Sequence, residues 1–168
     1  MQLLDPLNRV CAWLAGVALL LMMAAGAADV LLTNLDWLGL QSRPLAGATE
    51  FIATMMVVAV FLALPLAQAR GSHIALDVTR HARPAVGRPL NALHHALHAL
   101  FYGALAAAGF MQALQSVSVG EFAAGAIDFP VWPARVVLAA GATLMALQCL
   151  ADLLAVLHPA WRRGAAAA

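Results

Sequence analysis

The chain has no lysine, one tyrosine, two cysteines and only 10% charged residues. A soluble globular domain carries roughly 25% charged residues, so a water-facing surface of the ordinary kind is excluded. Cys11 and Cys149 both fall inside apolar runs, where a thiol is a small buried hydrophobe, and no disulfide framework is expected. No paired carboxylates, Ser-His-Asp or Cys-His arrangement, CxxC or phosphate-cradling glycine loop is present, so the chain reads as a non-enzyme with no catalytic residues, cofactor or metal. A net charge of +1 gives no reason to expect a nucleic-acid partner.

What the chain does have is apolar length. With 64% hydrophobic residues and a mean hydropathy of +0.86 it reads as an integral membrane protein. A spanning helix needs about 20 apolar residues, and four such runs occur, over 10–28, 49–69, 90–117 and 134–157. The expectation is a single all-α membrane domain over 1–168, with four transmembrane helices in two hairpins. The first run is longer than the 7–15 residues typical of a signal-peptide core, so it is read as a span rather than a cleaved leader. Asp29 closes it. In the second run Pro65 is expected to kink the helix, and Met55, Ala59, Ala63 and Ala67 form a small-residue face for a neighbouring helix. Pro84, Gly87 and Pro89 argue against a long helix in the connection 70–89, and Phe129-Pro130-Val131-Trp132-Pro133 reads as an interfacial anchor before the fourth span.

The arginines give the direction. Arg9, Arg70, Arg80, Arg83, Arg88, Arg162 and Arg163 fall on one side of the four runs, against Arg43 and Arg135 on the other. By the positive-inside rule both termini and the loop 70–89 are cytoplasmic, in a multi-pass protein of the bacterial inner membrane. The arginine loop also suits anionic lipid head groups.

Charges near or within a span are the default functional candidates, because one at the bilayer centre costs about 2.5–3.5 kcal/mol even on insertion scales. Glu50 is in the first turn of the second span, where the positive helix end favours a carboxylate. Asp152 lies inside the fourth span, and pairing with His98 of the third is expected to hold that hairpin together. Two further readings come from other classes. A self-sufficient small dimeric exporter would work around Glu50 placed deep in the bilayer. A haem-bearing membrane anchor would ligate iron through histidines on separate helices, whereas His94, His95 and His98 crowd one end of one span.

The order Asp29-Val30-Leu31-Leu32, then Arg43-Pro44-Leu45-Ala46-Gly47-Ala48-Thr49-Glu50, then an uncharged span, then Arg70-Gly71-Ser72-His73-Ile74-Ala75-Leu76-Asp77 resembles the small membrane subunit (DctQ type) of tripartite ATP-independent periplasmic (TRAP) transporters. The chain departs from that pattern at Thr33, where an arginine often stands, and in a second span without tryptophan. The resemblance implies an accessory subunit of a sodium-coupled, binding-protein-dependent symport system for uptake of organic acid anions. Its implied partners are a large multi-span transport subunit, which it scaffolds, and a periplasmic substrate-binding protein. Glu50, Arg70, Gly71, His73 and Asp77 are the family-typical positions it carries over, expected to serve assembly. The substrate stays open among carboxylates.

Overall fold

A computed structural model describes residues 5–35, 39, 41–70, 84–125 and 127–157. Four helices dominate: α1 (Asp5–Thr33), α2 (Ala48–Ala69), α3 (Pro84–Val119) and α4 (Trp132–Leu157), with a two-stranded antiparallel pair, β1 (Phe122–Ala123) and β2 (Phe129–Pro130), between α3 and α4. All four are long and apolar enough to cross a membrane. A helix covers each of the four expected runs, and each helix is longer than its run. α1 does not stop at Asp29 but runs one turn further, to Thr33.

That extra turn is possible because its end is capped by the following chain. The Asn34 backbone N–H and side-chain amide both donate to the Val30 carbonyl, at 3.1 and 2.7 Å, the Arg43 N–H donates to Leu32, and the Ser42 hydroxyl donates to Thr33. Carbonyls that a helix end leaves unpaired are thereby satisfied before the chain turns back. Asp29 acts from inside the helix, its carboxylate accepting the Leu45 N–H at 2.8 Å.

α3 corrects the expectation of an irregular connection before Leu90, since it is helical from Pro84 and contains Pro89. Both prolines fall in its first two turns. Pro84, at the first helical position, removes only an N–H that has no intrahelical partner and so starts the helix, whereas Pro89, the sixth residue, deletes one hydrogen bond near the helix start.

The packing order across the molecule is α1, α2, α4, α3. α1 pairs with α2 and α3 with α4, as two hairpins, and the hairpins meet along a seam between α2 and α4. α4 is the most buried of the four, its inward stripe running through Ala134, Ala139, Ala142, Met145 and Cys149. Cys149 and Cys11 are free thiols in this interior. On α3, Gly109 lets Leu138 and Ala139 of α4 approach, and an added Cβ there would lie 3.0 Å from a Leu138 methyl.

The seam has a local cause. Pro65 lies inside α2 and has no N–H, so the carbonyl of Phe61, four residues earlier, loses its helical donor. Gly141 of α4 backs onto that same oxygen. A Cβ at Gly141 would run into it, closer than real Cβ atoms come to any neighbour. Only glycine fits, and its Cα hydrogens are the weak donors available to the freed carbonyl. The expected stripe through Met55, Ala59, Ala63 and Ala67 is therefore only partly the buried face of α2. Ala59 is buried, but Ala63 is exposed, and Pro65 and Gln68 complete the inward side.

Candidate functional site

Two clusters at opposite ends of the helices contain Asp152 and Glu50. The first lies where α1 begins and α2 and α4 end. Asn8 of α1 donates through its amide to the Gln148 Oε1 at 3.4 Å. Gln148 in turn donates to one oxygen of Asp152 at 3.4 Å, and Gln68 of α2 donates to the other at 3.1 Å. Asn8, Gln68 and Gln148 are buried and Asp152 is half-buried. The result is a chain of amides ending on one carboxylate and tying three helices together.

Asp152 is therefore not paired with His98. The stripe Gly141, Gln148, Asp152 on α4 faces α2, as the contacts of Gly141 with Phe61 and of Asp152 with Gln68 establish. α3 lies against α4 through another face. His98 instead donates its Nδ1–H to the His94 carbonyl one turn earlier in its own helix, at 2.9 Å, and its ring centre lies 4.2 Å from that of His94, with the two planes tilted by 47°. His95 lies beside them, 5.3 Å from His94 between ring centres, so all three imidazoles belong to α3. Among the described residues no group of three or more histidine, cysteine or carboxylate side chains converges as a metal centre would require.

The second cluster lies at the start of α2. Gly47 begins the helix with φ 79°, a left-handed conformation that glycine adopts without strain, and the Ile127 side chain fills the space where a Cβ would stand. The β1–β2 turn thus folds over the helix end. Glu50, in the first turn, is half-buried beneath it, with its carboxylate against Gly125. Phe51 meets Phe129 edge to face at 6.3 Å. A mostly apolar cavity of about 300 Å³ opens beside Glu50, walled by Thr54, Val57, Phe129 and Val131. The turn is held from the α4 side by Arg135, whose guanidinium bonds Glu121 at 2.6 Å and also the side-chain oxygen of Gln112.

Of the residues expected to matter, Glu50 and Asp152 are at opposite ends of the helices and do not form one site. Glu50 lies at a span end, not in mid-span where a self-sufficient exporter needs it. Arg70 is the exposed C-cap of α2, its N–H bonded to Leu66 at 3.0 Å. Gly71, His73 and Asp77 lie outside the described residues. Sequence reading missed Asn8, Gln68 and Gln148. Their signal was present, since each is an uncharged polar residue in or beside an apolar run, and Gln148 stands one helical turn before Asp152.

The family model described as "Tripartite ATP-independent periplasmic transporters, DctQ component" matches residues 30–158. No curated protein and no solved structure matches the chain.

Proposed function

The chain belongs to the DctQ component family of TRAP transporters, as their small, multi-pass membrane subunit, and from that premise we propose that it braces the large transport subunit of a sodium-coupled, binding-protein-dependent uptake system for organic acid anions. The match over residues 30–158 carries this reading, because it takes in three of the four spans whole and the end of the first. The family is one of transporter subunits and not of enzymes.

The architecture supports a bracing role. α2 and α4 are each held on both flanks, α4 being the most buried helix, while α1 and α3 turn outward broad apolar faces such as Trp13, Leu20 and Leu31, and Leu100, Phe101 and Met111. In lipid, helices associate through close packing and interhelical hydrogen bonds, so such faces serve equally for lipid and for partner helices. In the proposed arrangement Glu50 and its cavity contribute to the subunit contact on the periplasmic side. Arg70 and the family-typical Gly71, His73 and Asp77 lie on the cytoplasmic side, in a bacterial inner membrane with both termini inside.

Co-expression with the large subunit and a tag on this chain tests the assignment. The large subunit is expected to copurify, and vesicles lacking this chain are expected to lose binding-protein-dependent uptake of a carboxylate. A large subunit that transports at full rate alone would sink the bracing role. For orientation, a reporter fused after Arg83 that is active in the periplasm would overturn the inward placement of the loop.

A further inference from the structure

We propose that a groove between α1 and α2 is a binding site for one anionic phospholipid, with its phosphate gripped by Arg9 and Arg70. The site goes beyond the family reading and does not depend on it. Arg9, Ala12, Trp13 and Gly16 of α1 line the groove, with Leu66 of α2 and Arg70 at its C-cap, around a volume of about 360 Å³. The α1 residues are spaced i, i+3, i+4, i+7, which places them on one helix face. Neither guanidinium has a hydrogen bond or ion pair to any described residue, and no carboxylate lines the groove.

The chemistry of the lining follows the anatomy of a phospholipid. At the rim, two cations from two helices converge on one cavity, and arginine's planar fork suits a phosphate diester. One turn further along α1 is Trp13, 79% exposed, the residue type that favours head-group depth. Level with it the lining is Ala12 and Leu66, and one turn further in it is Gly16. Gly16 has nothing within 4 Å of the place a Cβ would occupy, so the floor is open to an acyl chain. Charge complementarity selects an anionic head group. Apolar depth selects a lipid over a free anion.

Titration of the purified, delipidated full chain in uncharged detergent tests this, with brominated-chain phosphatidylglycerol and phosphatidylcholine as probes and tryptophan quenching as readout; Trp13→Phe identifies the local signal. An arginine near an anionic lipid surface contributes about fivefold in binding, so the wild type is expected to prefer phosphatidylglycerol by about 25-fold. Arg9→Gln and Arg70→Gln should each lower that preference about fivefold, and the double variant should abolish it. The Arg9→Lys/Arg70→Lys variant should keep most of it. Gly16→Leu should weaken both lipids by filling the floor. Both arginines are exposed, so the variants are expected to fold, with unchanged circular dichroism as the control. The proposal is overturned if the wild type shows no preference, if the double glutamine variant retains it, or if glycerol phosphate binds as tightly as phosphatidylglycerol.

Discussion

The two ends of the helix bundle are fastened by different physics. At the end where α1 begins, uncharged amides of Asn8, Gln148 and Gln68 are buried and converge on the single carboxylate of Asp152. At the other end the fastening is an exposed connection, with a short β pair laid over the start of α2 and a partly exposed Arg135–Glu121 ion pair beneath it, the side chains 31% and 34% accessible. Buried donors lack water as an alternative partner, so removing their acceptor is costly, whereas an ion pair near solvent is screened and replaceable. One end should behave as a stability element. The other is free to be remodelled by a partner.

The seam shared by both ends is where the largest effect is expected. Gly141→Leu would drive a side chain into the Phe61 backbone, which cannot yield as a side-chain tip can, and should cost about 3 kcal/mol or more by overpacking. A strongly lowered midpoint of unfolding in mixed micelles with dodecyl sulfate would register it. If Gly141→Leu instead unfolds like wild type, α2 and α4 do not meet as described and the two ends are not coupled through them.

Next in size is the amide chain. Asp152→Leu strands the Gln68 and Gln148 amides, and interhelical hydrogen bonds in model membrane peptides are worth about 1–2 kcal/mol, so a loss in that range is expected by the same unfolding assay. Asp152→Asn keeps one acceptor oxygen and should lose less. Equal stability of Asp152→Leu and wild type would erase the distinction between the ends.

A smaller effect belongs to the ion pair. Glu121→Gln should cost at most about 1 kcal/mol at low ionic strength, and less still in 1 M salt, where charges are screened within about 3 Å. A loss unaffected by salt would mean that this end, too, is held by a desolvated contact.

Least of all should Glu50→Gln disturb the isolated chain, since Glu50 makes no hydrogen bond or ion pair with another described residue. Its effect is expected in recovery of the large subunit on copurification. A variant equally good at assembly would remove Glu50 from the interface and leave the hairpin end without an assigned role.

How much was legible in advance differs between the two ends. Asp152 stood out because a carboxylate in an apolar run is rare, but its partner was misassigned to His98. Pairing by depth alone cannot tell which face of α4 looks at which neighbour, and α4 turned Asp152 toward α2 with Gln148 beside it. Glu50 was placed correctly in the first turn of its span from the position of the charge. The β pair over it was not anticipated, because two-residue strands leave no periodicity to read and Gly125 and Gly120 look like any loop glycines.

By itself, the sequence determined that this is a membrane protein of four spans and grouped most of its arginines on one side of them, since transfer from water to lipid is a property of each segment alone. Only the tertiary structure decided that α4 is the most buried helix, that the proline of α2 and the glycine of α4 meet across the seam, and that a chain of three amides ends on one carboxylate. Those are choices of neighbour. In lipid they rest on shape and donor–acceptor geometry between helices, which hydropathy along one chain does not record.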